Sequence, residues 1–243
     1  MKKIVCLLLC IIGIINLNAQ NTNTVVNDPN AELRDVDEFK SIEVSSGFIV
    51  YISQGKTQAV AVSCSNEKNN EDIITTVENG VLKIYRPKST FKLLHKNQKF
   101  RAYITVKNIE KLDISGACIV NLVNPIKADD LEIDISGASI IKGEVNAKHL
   151  NSDVSGASIS TLKGNVASAR INVSGASILK AFNLLVEEYD INVSGASIAN
   201  IYVTQKLIAS ASGTSSIKYK STTENIKVNS TGLSNISEYN KDN

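Results

Sequence analysis

The segment Leu131-Glu132-Ile133-Asp134-Ile135-Ser136-Gly137-Ala138-Ser139-Ile140-Ile141 is one copy of a unit that this chain repeats. Apolar residues at positions 131, 133 and 135 alternate with polar ones, which is typical of a strand with one buried side. A glycine follows the strand, and the small residues Ser-Gly-Ala suit a tight corner. An isoleucine after the corner begins the next apolar run.

The Ser-Gly-Ala corner recurs through the second half of the chain. Its glycines are spaced 21, 19, 19, 20, 18 and 19 residues apart, and they are Gly116, Gly137, Gly156, Gly175, Gly195, Gly213 and Gly232. A period of about 20 residues is typical of a solenoid and is too short for a strand-helix-strand unit. We therefore predict an all-β fold, a parallel β-solenoid of about seven coils over residues 110–238, with an irregular β N-terminal part at 36–109.

Two sets of positions are expected to stack from coil to coil. The apolar residues before each glycine should face inward, and they are Leu131/Ile133/Ile135, Leu150/Ser152/Val154, Ala169/Ile171/Val173, Tyr189/Ile191/Val193, Leu207/Ala209/Ala211 and Ile226/Val228/Ser230. An isoleucine returns after five corners, at Ile119, Ile140, Ile159, Ile178 and Ile198. In the last two repeats we expect it to slip one place, to Ile217 and Ile236, because terminal repeats are often atypical.

The N-terminal residues predict export. Lys2 and Lys3 precede an apolar run, and cleavage is expected near Ala19, so residues 1–19 are interpreted as a signal peptide. A lipoprotein would need Cys10, which follows bulky leucines. Residues 20–35 are predicted to be a flexible leader and 239–243 a tail. The localisation expected is the periplasm or the outer-membrane-associated cell surface.

The charge of the chain argues against a nucleic-acid partner, and its hydropathy argues against a transmembrane anchor. The chain has 26 basic and 24 acidic residues, and the signal removes two lysines, so the mature protein is neutral. A neutral protein is not expected to bind nucleic acid. No apolar stretch of the mature chain is long enough to be a transmembrane segment.

The N-terminal part, 36–109, contains strand-like runs without the regular repeat. It includes an early Ser46-Gly47 corner and an Asn79-Gly80 hairpin signal. This part is expected either to start the solenoid or to cap its first coil, which would hide an open strand edge.

A basic stretch lies within this part. Residues 79–109 contain no Asp or Glu but eight basic residues, namely Lys83, Arg86, Lys88, Lys92, Lys96, Lys99, Arg101 and Lys107. The stretch predicts a contact site for an anionic partner, such as a glycolipid phosphate or an acidic polysaccharide. The alternative is a solvated segment whose charges are balanced by acids elsewhere in the fold.

An acidic ladder is predicted three residues before the first glycines, at Asp113, Asp134 and Asp153. Stacked carboxylates at roughly 5 Å repel by about 1 kcal/mol per pair in a wet setting, so something should offset them. Bound Ca²⁺, lysines of neighbouring turns and backbone N–H groups are all candidates. Simple solvation of Asp and Asn at turns is the plainer interpretation.

The sequence lacks a catalytic constellation. Its mature histidines, His95 and His149, have no motif partner, and a serine in every coil is a structural ladder because activation needs a unique base. We predict no enzyme, no cofactor and no metal site. Cys64 and Cys118 fit either a disulfide or, because Cys118 stands where other corners have serine, a small-for-small replacement.

Taken together, the export signal, the Phe39…Ser46-Gly47 start, the segment 79–84 and the Ile/Val-Ser-Gly-Ala-Ser ladder resemble the auto-transporter adhesin "head GIN" domain family, common in Bacteroidetes. The resemblance covers about residues 36–238. It implies an exported, envelope-associated all-β protein and brings no catalytic residues.

The function predicted is a non-enzymatic envelope or surface interaction protein, adhesin-like, that binds glycans or anionic envelope lipids or polysaccharide. Repeated small polar side chains suit weak multivalent contacts. One alternative is a carbohydrate-active enzyme that uses the acidic ladder. The other is a purely structural scaffold.

Overall fold

The computed structural model of this protein describes residues 28–87 and 98–239. It is an all-β fold in one mixed sheet, with a single 3₁₀ helix, Glu67–Asp72, among the described residues. The strands are β1 Glu32–Arg34, β2 Ser41–Val44, β3 Ile49–Gln54, β4 Ala59–Cys64, β5 Ile74–Glu78, β6 Val81–Tyr85, β7 Phe100–Val106, β8 Lys111–Ile114, β9 Ile119–Leu122, β10 Ile126–Ile135, β11 Ile140–Val154, β12 Ile159–Val173, β13 Ile178–Val193, β14 Ile198–Ala211, β15 Ser216–Ser221, β16 Ile226–Ser230 and β17 Asn235–Glu238.

The repeats form a parallel β-solenoid of about 7 turns, as predicted. From β8 and β9 to β17, each strand pairs in parallel with the strand one repeat later. Within β12, the alternation of buried and exposed residues breaks between Leu162 and Val166, and again between Val166 and Ala169. These two breaks and the Ser-Gly-Ala corner divide the coil into three sides.

The corner requires glycine for two physical reasons. Gly195 has φ +73°, a left-handed conformation that a residue with a Cβ adopts only at a cost. A Cβ added to it would also stand 2.5 Å from the carbonyl oxygen of Gly175 in the preceding coil. That oxygen accepts a 2.8 Å hydrogen bond from the backbone N–H of Ala196, which holds successive corners together.

The predicted inward positions are buried in every coil except the last. Leu131, Ile133 and Ile135 are at most 2% exposed, and their counterparts through Ala211 are also buried. In the last coil Val228 is 47% exposed, because no further coil covers β16 within the described residues. The end of the described stack is therefore an open edge.

The serine that closes each corner forms a second buried column. Ser139, Ser158, Ser177, Ser197 and Ser215 are at most 2% exposed, and Cys118 and Phe48 occupy the same place at the N-terminal end. Four of these five hydroxyls, all except that of Ser158, bond to backbone groups of neighbouring coils, as in the 3.2 Å bond that the Cys118 N–H donates to Ser139 Oγ. Cys64 and Cys118 are both buried free thiols, so in this structure the substitution explanation holds rather than the disulfide.

The N-terminal part both starts the solenoid and caps it. Its layer β2–β3 pairs in parallel with β8–β9 on one side and with β6–β7 on the other. Antiparallel strands then cover the outermost layer, β5 on β6 and β4 on β7. The hairpin predicted at Asn79-Gly80 joins β5 to β6.

The ordered fold extends to the N-terminal side of residue 36. Part of the segment for which we predict a flexible leader forms β1, which pairs antiparallel with β4. Nearby, Asp28 accepts hydrogen bonds from Ser63 Oγ at 2.6 Å and from Tyr103 Oη at 2.8 Å. The predicted signal peptide lies outside the described residues.

The expected slip of the isoleucine in the last two repeats is wrong. Ile198 pairs with Ser216, while Ile217 pairs with Ala199 and Ile236 with Ile217. The isoleucines after the first five corners form an outward column, and Ile217 and Ile236 belong to the neighbouring inward column. The sequence pattern alone does not separate the outward column from the inward one, because both columns contain isoleucines.

Candidate functional site

The predicted acidic ladder is one part of a longer outward column on the side before the corner. Asp134 lies between Asp113 and Asp153 in the strand register, as expected. We call the whole set the polar column, and from the N-terminal end it contains Lys83, Glu43, Asp113, Asp134, Asp153, Asn172, Asn192, Ser210 and Asn229. Four consecutive rungs are carboxylates, and the following rungs are neutral.

A lysine of the neighbouring column offsets part of this negative charge. Lys111 Nζ lies 2.8 Å from Asp134 and 2.7 Å from Glu132. The hydrogen bonds that Lys111 donates to Asp134 and Glu132 raise the pKa of Lys111 and hold it charged. Asp113 is less well compensated, since burial first, and then the carboxylates of Asp134 and Glu43, raise its pKa.

The neutral part of the polar column is linked by side-chain hydrogen bonds. Asn172 Nδ2 donates to Asp153 Oδ1 at 2.8 Å, and Asn192 Nδ2 donates to Asn172 Oδ1 at 3.3 Å. These bonds run along the solenoid and orient the amides on an exposed surface. Among the residues described, no three His, Cys, Asp or Glu side chains meet in an arrangement that could hold a metal ion.

A shallow groove lies beside the acidic rungs, at the junction of β7–β8 with β10. Lys40, Glu110, Lys127, Asp130 and Glu132 are among the residues that line it. Asp113, Asp134 and Asp153 are not among them. The groove thus reaches Glu132 in the column next to the ladder and leaves the ladder itself on the outward surface.

The basic stretch is interrupted in the structure, because Lys88, Lys92 and Lys96 lie outside the described residues, as does His95. The intervening segment joins β6 to β7 in the outermost layer. Of the described members, Lys83 pairs with Glu78 at 2.7 Å and Lys107 with Glu38 at 3.0 Å. The backbone N–H of Lys99 donates to Ser65 Oγ.

The two arginines of the stretch are packed into the cap. Arg86 is 3% exposed, and its guanidinium lies 4.1 Å from the ring centroid of Phe100. Arg101 lies 3.5 Å from Asp28. Burial alone would raise the pKa of Asp28, but hydrogen bonds from Ser63 and Tyr103 outweigh it and leave that pKa lowered. Burial, together with the hydrogen bond to Asp28, raises the pKa of Tyr103 to about 12.

The remaining histidine, His149, is exposed within β11 and lies between Asp130 and Ser168 in the register. This histidine has no motif partner in the sequence, and it lies on the surface of a strand rather than in a loop between coils. Among the described residues, no helix is long and apolar enough to cross a membrane.

A second surface, on the side after the corner, is not identified from the sequence. Its outward residues include the isoleucine column and, two residues further along each strand, a column that contains Lys142, Lys180 and Lys218. The signal was present as a lysine two residues after Ile140 and after Ile178, and two residues after Ser216, which takes the place of the isoleucine in its coil. It is easily missed because the residues between these lysines are Thr161 and Asn200.

Comparison with solved structures shows the same fold. A "putative adhesin" from Bacteroides fragilis superposes with a TM-score of 0.81 at 20% identity, covering 86% of this chain and 96% of that chain. A "putative adhesin" from Parabacteroides merdae has a TM-score of 0.67 at 18% identity, covering 86% and 95%. A "putative lipid binding protein" from Parabacteroides distasonis has a TM-score of 0.68 at 20% identity, covering 86% and 96%.

A search of curated proteins finds no match. The family model described as "Putative auto-transporter adhesin, head GIN domain" matches residues 38–223. This span runs from the strands of the cap through the corner-and-ladder repeats to β15. The match confirms the resemblance drawn from the sequence, and the chain belongs to this head GIN domain family.

Proposed function

We propose that this protein is an exported, non-enzymatic interaction module of the cell envelope that acts as an adhesin and binds glycans along the polar column. The observation that carries the proposal is the in-register, exposed run from Asp153 through Asn172 to Asn192, with its amides linked by hydrogen bonds. Membership in an adhesin-named family and similarity to structures named as adhesins support it.

The chemistry of the column suits sugar hydroxyls. The Asp, Glu and Asn rungs offer carboxylate or carbonyl oxygens as acceptors, and the asparagines also offer N–H donors. Rungs repeat at the strand spacing of roughly 4.8 Å, so an extended polysaccharide can meet several of them at once. Individually weak contacts then combine into useful avidity.

The placement of the carboxylates argues against the enzymatic alternative. An enzyme on carbohydrate needs its acids in a cleft together with a substrate-positioning or proton-transferring partner. Here Asp113, Asp134 and Asp153 project from an outward column, and the nearby lysine, Lys111, is held by ion pairs to Asp134 and Glu132. The arrangement supports a binding surface more than a catalytic one.

The experiment is a glycan array with the protein that begins at residue 20, run with and without Ca²⁺ and at low and high salt. We expect binding that falls at least fivefold in the double variant Asn172→Ala/Asn192→Ala. The matched control is Asn146→Ala/Asn165→Ala, which removes another hydrogen-bonded asparagine pair from a different side of the coil. Equal losses in both variants, or no glycan bound by the unaltered protein, would refute the proposal. Release of reducing ends from a bound polysaccharide would favour the enzyme.

A second candidate is binding to anionic envelope components through the basic stretch, suggested by the charge of residues 79–109. The described members of the stretch are mostly paired or packed, and Lys88, Lys92 and Lys96 lie outside the described residues. The variant Lys92→Glu/Lys96→Glu/Lys99→Glu tests it. Unchanged binding to anionic polysaccharide would reject this electrostatic form and favour a structural scaffold.

A further inference from the structure

The side of the solenoid that follows the corner carries a continuous aliphatic ridge. Ile49, Ile119, Ile140, Ile159, Ile178 and Ile198 lie next to one another in consecutive strands and point outward. Ile119 is 39% and Ile198 43% exposed, and the other four are half-buried. The exposed alanines of the Ser-Gly-Ala corners border the ridge. Six aligned aliphatic side chains on a surface form an apolar patch of the kind that marks an interaction site.

A basic column runs parallel to this ridge. In strand register it contains Tyr103, Tyr51, Asn121, Lys142, Thr161, Lys180, Asn200, Lys218 and Ser237, with no Asp or Glu. Lys142, Lys180 and Lys218 are exposed, and none of them has an acidic partner within residues 28–87 and 98–239. They are two coils apart, which places them at intervals of about 10 Å.

Several other lysines of the solenoid are, by contrast, paired with acids. Lys111, Lys148 and Lys163 each have a carboxylate within 3.2 Å. Positive charge without a counterion beside an aliphatic ridge matches a surface that is negatively charged at its boundary and apolar beneath it. The headgroup and upper acyl region of an anionic lipid bilayer has that chemistry.

We propose that the isoleucine ridge and the basic column together form a docking surface for an anionic lipid bilayer, on which the solenoid lies along its length. This goes beyond glycan binding, because it uses a different side of the coil from the polar column. A purely polysaccharide ligand leaves the isoleucines without a role. A second copy of the chain is disfavoured, since two such surfaces pressed together would bring unpaired lysines into one interface with no acid from either column.

The test is co-sedimentation of the protein beginning at residue 20 with vesicles of equal parts phosphatidylglycerol and phosphatidylcholine, compared with pure phosphatidylcholine. We expect binding to the anionic vesicles only, weakened by added salt. The variant Lys142→Glu/Lys180→Glu/Lys218→Glu should lose at least tenfold in partition coefficient, because one lysine near an anionic surface contributes roughly a fivefold gain. The control Lys148→Glu/Lys206→Glu/Lys227→Glu makes the same charge change on other parts of the coil and should keep more of the binding.

The apolar half of the proposal is tested by Ile159→Ser/Ile178→Ser, which keeps every charge. We expect at least a fivefold loss of vesicle binding with a far-ultraviolet circular dichroism spectrum like that of the unaltered protein. If this variant fails to fold, the two lysine triples still decide the matter. Equal losses in both lysine triples, full binding by the isoleucine variant, or binding to pure phosphatidylcholine would each overturn the proposal. Failure here leaves the glycan-array result unaffected.

Discussion

Substitution of alanine for Gly195 tests whether the close stacking of corners holds the solenoid together. Two costs can be worked out from the structure. The left-handed φ of +73° costs an alanine about 1–2 kcal/mol. The added Cβ, 2.5 Å from the oxygen of Gly175, must displace backbone and strain the 2.8 Å hydrogen bond from Ala196, which adds about 1–3 kcal/mol. The free energy of unfolding should therefore fall by about 2–5 kcal/mol.

Two other glycines allow the conformational cost of alanine to be measured without the cost of the steric contact. Gly47 and Gly80 have φ of +78° and +75°, but a Cβ added to either meets no atom within 4 Å. Alanine at these positions should cost only the conformational part, about 1–2 kcal/mol. Urea unfolding followed by circular dichroism gives the midpoint and slope for each variant. If Gly195→Ala is no worse than Gly47→Ala and Gly80→Ala, contact between corners is not what selects glycine, and the reasoning fails.

Three further predictions concern buried or crowded groups. Asp113→Asn should raise the free energy of unfolding at pH 7 by up to about 1 kcal/mol for each like-charged repulsion that it removes. Because the pKa of Asp113 is raised in the native state, the unaltered protein gains stability as the pH falls through that pKa. The urea midpoints of the two proteins should therefore converge in acid. Tyr189→Phe should raise the free energy of unfolding by about 1 kcal/mol, since the Tyr189 hydroxyl is fully buried without a hydrogen-bond partner in the described structure; a loss of stability would show that the hydroxyl is satisfied. Cys64 and Cys118 should resist a thiol reagent in the native protein and both react in denaturant, and burial, which raises the pKa of Cys118, slows the reaction further; rapid native labelling, or no thiols after unfolding, would contradict this.

The repeat made the solenoid predictable because its stacking depends on local chemistry that each repeat restates. Period-2 alternation identifies the buried side of a strand, and the glycine identifies a corner where a Cβ cannot fit. The register of Asp113, Asp134 and Asp153 followed directly from their shared position three residues before a corner glycine. By contrast, the sequence does not show whether Ile217 faces inward or outward. The two possibilities differ by one residue in alignment, and isoleucine is favourable on either side of a strand.

The N-terminal part was harder because its contacts are not between neighbours in the chain. A parallel pair such as β2 with β6 depends on pairing over long sequence separations, which no local pattern encodes. The ion partners of Lys83 and Lys107 likewise come from tertiary placement. For the binding surfaces, the sequence showed which side chains repeat but not which charged groups lack a counterion. Only the structure shows that Lys142, Lys180 and Lys218 have no acidic partner among the described residues.

The position of β2–β3 between two other layers has a consequence for how the chain acquires its structure. This layer comes early in the sequence, yet both of its strand edges are occupied, one by β6–β7 and the other by β8–β9. We therefore expect assembly to proceed from this interior template in two opposite directions, toward the cap and toward the repeats. Because β2–β3 precedes both neighbouring layers in the sequence, a lesion in it would leave both the cap and the repeats without the strand edges on which they pair.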